Sequence, residues 1–295
     1  MDAKLLARVP MAEIKLLFHL SDIHFGLEDN RALDWVEREI AERRPDAVAI
    51  TGDLTMRARG HEFAAAEKWI HALEVPVTVE PGNHDLPNYH LPSRYLNPLG
   101  RFEAFRDVVE KRIELAGIAL VPLNTNVAAQ PRLNWSKGWV TERALSDCLD
   151  QLDALPRGMR ALVCVHHPLR ETGTQGTALT RNGEKALAAL AQREVLGVLS
   201  GHVHDAFDIM EQTAHGHVRM IGAGTLSKRI RSTPPSFNEL TWDGEELHVT
   251  VRNLEDVDTP DMMIDDVPAD ATPPREAGEP VAPVGRVPRT DPPVY

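Results

Sequence analysis

The chain has 295 residues, 42% hydrophobic and 26% charged, the balance of an ordinary soluble globular protein with room for one large domain or two modest ones. No apolar stretch approaches the roughly 20 residues that cross a bilayer, and Glu13 and Lys15 interrupt the N-terminal apolar residues, so neither a membrane span nor a secretory signal is expected and the expected location is cytoplasmic. The formal net charge of −12 is gathered late, with seven acids and no Lys or Arg in 255–270; the remaining mildly acidic body lacks the basic footprint of tight nucleic-acid binding, and two cysteines, Cys148 and Cys164, cannot build a disulfide framework.

In chain order, 1–13 reads as an N-terminal extension and the globular pattern begins at residue 14. IKLLFHL (14–20) has the apolar run of a buried strand. Asn30 is an N-cap for a helix over 31–43, with Leu33, Val36 and Ile40 at helical spacing. DAVAIT (46–51) is a second strand, 61–73 a second helix and VPVTVE (75–80) a third strand. This βαβαβ order predicts an α/β sheet with its functional residues at strand C-terminal ends. Helices follow over 101–111, 141–154 and 182–193, with strands at 160–165 and 194–200. From 206 to 252 the runs become short, and FNELTW and ELHVTVR flank Asp243-Gly244, a hairpin signal. The second half is therefore expected to add antiparallel strands, giving two packed sheets with helices outside. Residues 86–100, 124–139 and 168–178 are rim-loop candidates that would hold substrate choice. From 255 onward an acidic and then Pro-rich tail, with nine of the 22 prolines in 256–295, is expected to be disordered.

Five short segments each follow a predicted strand: Asp22-Ile23-His24, Gly52-Asp53, Gly82-Asn83-His84-Asp85, His166-His167-Pro168 and Gly201-His202-Val203-His204. Strand ends along one sheet edge converge in space. The pairs Asp22/His24 and His202/His204 are two apart, so an extended backbone would let each pair chelate together. Carboxylate, imidazole and one amide oxygen, with no thiolate, suit Mn, Fe or Zn in a reactive rather than structural role. Seven ligands (Asp22, His24, Asp53, Asn83, His166, His202 and His204) exceed one transition ion and suffice for two, with Asp53 the best candidate to bridge. Other histidines have simpler readings: His19 in the core, His61 and His71 on the second helix, and His215 and His217 around a turn at Gly216. His90, after the Gly-Asn-His-Asp turn, is a candidate for the substrate mouth.

The order D-x-H, G-D, G-N-H-D, H and G-H-x-H resembles the calcineurin-like metallophosphoesterase superfamily over about residues 14–252. The resemblance implies a four-layer α/β/β/α sandwich with two mixed sheets. It implies one metal on Asp22, His24, Asp53 and His204, and a second on Asp53, Asn83, His166 and His202. It also implies that His84 contacts the scissile phosphate, and that hydroxide held between the cations attacks phosphorus in line with the leaving oxygen. Asp85 is expected to orient His84, with capping of the following turn as the alternative; His167 is either a substrate contact or a support behind the ligands. Met56 and Ala58 depart from the G-D-x-x-D-R-G of the Ser/Thr protein phosphatases, and that argues against their activity. The G-N-H-D turn, the His-His-Pro step and the segment from Gly224-Thr225 to Asn238 look similar to the cyclic-nucleotide and glycerophosphodiester phosphodiesterase branch. The expectation is a hydrolase of small phosphodiesters, with two alternatives: a repair-type DNA nuclease of the same superfamily, or a binding protein on the same fold. Arg229 and Arg231 could meet a substrate phosphate, but the expectation for them is a solvated basic turn. Oligomeric state is not encoded in any of these features.

Overall fold

The computed structural model describes residues 15–87, 91–111, 113, 115, 117–193 and 195–255. The expectations for 1–13, for His90 and for the tail beyond Glu255 lie outside the described residues. The first sheet has the order β10-β9-β1-β2-β3. β1 (Lys15–Leu20), β2 (Ala47–Thr51) and β3 (Val77–Glu80) run parallel, linked by α1 (Asn30–Arg43) and α2 (Gly60–Ala72). The hairpin β9 (Ser236–Trp242) and β10 (Leu247–Asn253) forms around Asp243-Gly244 and docks antiparallel on β1. The second sheet has the order β4-β5-β6-β8-β7. Here β4 (Ile118–Pro122), β5 (Arg160–Cys164), β6 (Gly197–Ser200) and β8 (Gly216–Gly222) are parallel, and only the edge strand β7 (Phe207–Thr213) is antiparallel. The late antiparallel strands are thus divided: the last hairpin completes the first sheet rather than the second.

Strand alternation assigns the layers. In β1 and β2, Phe18, Leu20, Val48 and Ile50 face α1, α2 and the helix α4 (Gly100–Val109), packing with Trp35, Trp69 and Phe102. The opposite positions, Leu17, Ala47 and Ala49, meet Leu162, Cys164, Leu199 and Ile221 of the second sheet. The other face of that sheet, with Val163, Val198 and Met220, packs on α5 (Glu142–Asp153) and α6 (Gly183–Ala191) through Leu145, Cys148, Leu187 and Leu190. The architecture is an α/β/β/α sandwich of two mixed sheets. Period-2 alternation lets each strand serve two apolar layers.

Local chemistry sets the boundaries. The N-cap of α1 is Asp29 rather than Asn30: its carboxylate accepts from the Arg31 backbone N–H. Helix α5 starts on Thr141, whose hydroxyl accepts from Ala144 N–H. Strands β4 and β7 and the short helix α3 (Leu91–Leu96) escaped the sequence reading. β7 alternates half-buried and exposed residues, as an edge strand does, so no continuous apolar run marks it. Among the described residues no helix is long and apolar enough to cross a membrane.

Candidate metal centre

All five motifs lie just beyond strand C-terminal ends, where the two sheets come together. β1 delivers Asp22 and His24, β2 delivers Asp53, and β3 delivers Asn83, His84 and Asp85 in a 3-10 turn. Across the seam β5 delivers His166 and His167, and β6 delivers His202 and His204. Glycines permit the approach. A Cβ on Gly82 would collide with the backbone nitrogen and Oδ1 of Asp53, and one on Gly201 would collide with the Ser21 side chain.

The backbone does not present Asp22 and His24 from extended geometry. Asp22, His24, Asp53, His202 and His204 all have left-handed φ, between 50° and 69°. Such conformations cost about 1–3 kcal/mol each and persist only where surrounding contacts fix them. Asp and His are among the non-glycine types that tolerate the region best. The fixing contacts are visible: Asp22 N–H donates to Gly52 O at 3.0 Å, His24 N–H to Asp53 O at 3.0 Å, and His202 N–H to Asp22 Oδ2 at 2.7 Å. The His202/His204 pair is split. His204 joins Asp22 and His24, whereas His202 joins His166 and His167. The spacing-based expectation that this pair chelates together is thereby corrected: the two imidazoles fall in separate donor groups.

Two donor sets result. In the first, His204 Nε2 lies 3.0 Å from Asp22 Oδ1 and 3.3 Å from His24 Nε2, and His24 Nε2 lies 3.7 Å from both Asp22 Oδ1 and Asp53 Oδ2. In the second, His166 Nε2 is 3.4 Å from Asp53 Oδ1 and 3.3 Å from Asn83 Oδ1, and the rings of His166 and His202 stand 5.2 Å apart. Metal–ligand bonds of about 2.1 Å give polyhedron edges of roughly 3.0–3.4 Å, the scale of these separations. Asp53 offers Oδ2 to the first set and Oδ1 to the second. Asp22 Oδ2 is occupied by Ser21 Oγ–H and His202 N–H, while its Oδ1 is buried with no hydrogen-bond partner, an orphan that a cation would satisfy. The donor set therefore fits two metal ions.

Hydrogen bonds behind the rings fix their orientation. Nδ1 of His166 meets Thr51 O at 2.8 Å, Nδ1 of His204 meets Arg229 O at 2.6 Å, and Nδ1 of His84 meets Met56 O at 2.8 Å. A carbonyl can only accept, so each Nδ1 carries the proton and each Nε2 is turned into the cleft. The charge balance points the same way. Burial pushes Asp22 and Asp53 upward, but His204 beside Asp22, and His166, His84 and His24 around Asp53, hold both carboxyls well below the usual range. Burial lowers His166 and His204, but Asp53 lifts His166 to about 9 and Asp22 lifts His204. Burial, joined by the His166 charge, drives His202 down to about 3. The paired carboxylates and imidazoles thus favour positive charge between them, which metal ions would supply.

Asp85 differs from the expected role, and His167 takes the supporting one of its two readings. Asp85 does not touch the His84 ring, which Met56 O holds. Its carboxylate accepts from Gly82 N, Leu54 N, Thr55 N and Thr55 Oγ, tying the loop after β2 to the turn after β3. Burial, then the Asp53 charge, lifts its carboxyl to about 6 against those donors. His167 is buried with both nitrogens engaged, Nδ1 by Thr125 Oγ at 2.8 Å and Nε2 by Ser136 O at 3.0 Å, so it holds the 124–139 loop against the site. Asp205 was missed in the sequence. It is buried, and its Oδ1 accepts from Ser232 N–H and Oγ–H and from Thr233 Oγ–H, pinning the loop after β8. Its position immediately after the Gly-His-Val-His motif was the only signal. His19 is a core residue as expected, between Thr51 Oγ and the Asn238 amide, and burial lowers it to about 3.

The comparisons with known proteins agree with this geometry. The sequence model of the calcineurin-like phosphoesterase family matches residues 16–206, and the chain belongs to that family. It is accordingly a metal-dependent phosphoester hydrolase, of a family that works with two metals. Among its relatives, a glycerophosphodiester phosphodiesterase of Enterobacter lignolyticus is 26% identical over 205 residues, covering 64% of this chain and 71% of the relative. A probable cyclic nucleotide phosphodiesterase of Pseudoalteromonas is 26% identical over 204 residues with the same coverage. A solved dimetal phosphatase from Danio rerio superposes with a TM-score of 0.57 at 15% identity, over 80% of this chain and 98% of that one, a likeness of fold alone.

Proposed function

We propose that the protein hydrolyses small phosphodiesters, 3′,5′-cyclic nucleotides or glycerophosphodiesters, with one metal ion on Asp22, His24, Asp53 and His204 and another on Asp53, Asn83, His166 and His202. The observation that carries this reading is Asp53, whose two carboxylate oxygens face separate donor sets. The activities for which the two bacterial relatives are named support the substrate class. Imidazole, carboxylate and amide donors without thiolate favour Mn, Fe or Zn.

Bound there, two such cations supply Lewis acidity and a nucleophilic water at neutral pH. The chain's own residues do the rest. Asp53 is held by His84 N–H on Oδ1 at 2.7 Å, which keeps the carboxylate plane fixed between the two sets. His84, with its Nδ1 proton committed to Met56 O, turns Nε2 to the cleft, where a proton on that atom stabilises or is given to the leaving oxygen. Asn83 and His84 come from one short turn, so ligand and phosphate contact are set in a single rigid unit.

The test is turnover of bis(p-nitrophenyl) phosphate by metal-loaded protein, followed by a panel of cyclic nucleotides, glycerophosphodiesters and phosphomonoesters. Diester hydrolysis that is lost in Asp53→Ala and His84→Ala is the expected result. Equal rates in wild type and both variants, or turnover of monoesters alone, overturns the reading.

A further inference from the structure

The loop between β8 and β9 crosses the mouth of the centre and is anchored on both sides of Arg229. Before it, Thr225 Oγ–H donates to Asp22 O at 2.7 Å and Lys228 N–H to Leu27 O at 3.0 Å. After it, Asp205 holds Ser232 and Thr233. Lys228, Ile230 and Arg231 are exposed, while Arg229 is half-buried and folds inward. Its Nη1 stands 3.2 Å from His24 Nε2 and 3.1 Å from His84 Nε2. Among the described residues no carboxylate lies within ion-pair distance of this guanidinium. The solvated basic turn expected from sequence is thus corrected for Arg229.

An inward-facing guanidinium without a carboxylate, on a pinned backbone, is a site for an anion. Two imidazole lone pairs accept its N–H groups here. With a cation on His24 Nε2 and a proton on His84 Nε2, neither lone pair would be free, and the guanidinium would have its N–H groups to offer to an anionic oxygen beside His84. We propose that Arg229 is a substrate-binding residue, its guanidinium contacting an anionic phosphoryl oxygen next to His84 while its own carbonyl orients His204. The proposal rests on the phosphoesterase reading of this site and adds to it a cation supplied by the protein. A fixed guanidinium favours the charged ester over neutral analogues, because it carries its charge at any metal loading.

The experiment uses metal-loaded full-length protein, with Arg229→Ala and Arg229→Lys beside wild type, and inorganic phosphate as the probe. Metal per chain is measured by elemental analysis, phosphate affinity by titration calorimetry, and kcat and KM on bis(p-nitrophenyl) phosphate. Both variants keep the backbone carbonyl that receives His204 Nδ1, so metal content stays at the wild-type value. Phosphate affinity and kcat/KM fall about ten- to hundredfold in Arg229→Ala, the scale of a hydrogen bond to a charged group, and recover in part in Arg229→Lys. Affinity and kcat/KM within twofold of wild type in Arg229→Ala overturn the proposal, as does a drop in bound metal that accounts for the whole loss. Arg229-dependent phosphate binding in a protein that turns over no diester sustains the proposal while removing the diester reading.

Discussion

The two sheets contribute to one centre in unlike ways. The β1–β3 side supplies both carboxylates, the amide and His84, together with His24. The β5–β6 side supplies only imidazoles: His166, His202 and His204. The first side therefore carries the negative charge and the second side the groups that neutralise it, which is why Asp53 and His166, or Asp22 and His204, shift each other in opposite directions. A centre divided in this way assembles only when the sheets pack. It also draws cations to the seam of a chain whose net charge is −12.

The largest effect is expected where the two sides share an atom pair. Asp53→Ala removes an oxygen from each set, so elemental analysis should find well below two ions per chain, and kcat/KM should fall by more than about a thousandfold, the combined loss of Lewis acid and nucleophile. His84→Ala sharpens the comparison, because His84 belongs to the carboxylate side and the variant keeps the backbone N–H that holds Asp53 Oδ1. Metal content should hold while kcat falls about 10²- to 10⁴-fold, the range for a positioned acid or charge stabiliser.

Smaller effects test what supports each side. Asp85→Asn places an amide N–H₂ against backbone N–H donors of Gly82, Leu54 or Thr55. Urea unfolding should show a loss of about 2–3 kcal/mol from unsatisfied buried groups. At the end of β3, Glu80 is buried, and burial followed by the charge of Glu110 raises its carboxyl to about 8. Its folded pKa lies above the unfolded value of 4.5. The protonated form is therefore favoured by folding, and stability present below pH 4.5 is lost as pH rises through 8. In urea unfolding Glu80→Gln should be more stable than wild type at pH 9, by about 1–2 kcal/mol, with the difference closing toward pH 4.5. A difference that is independent of pH would show that Glu80 is charged at that position.

Much of this was legible in sequence because the signals were local. Apolar runs marked β1, β2, β3, β5 and β6, Asp243-Gly244 marked the final hairpin, and the glycine-flanked Asp, Asn and His segments followed those strands. The conformation of the motifs was not legible. Nothing local to Asp-x-His says that both positions adopt left-handed φ, since Gly52 O and Asp53 O fix it from the end of the neighbouring strand. Nor could spacing separate His202 from His204. Asp85 and His167 were read as close to the chemistry because they adjoin His84 and His166, yet their partners are Thr55, Leu54 and Gly82 in one case and Thr125 and Ser136 in the other.

By itself the sequence determined the donor types, their order and the strands that end in them, because residue chemistry and hydrophobic period are properties of short segments. Only the tertiary structure decided which oxygen of Asp53 faces which set, that β9 and β10 complete the first sheet, that Asp205 grips the loop after β8, and that Arg229 turns inward while Arg231 stays in solvent. These depend on contacts between residues tens to about two hundred positions apart. Such pairings are set by how two sheets pack, and a linear pattern does not contain that packing.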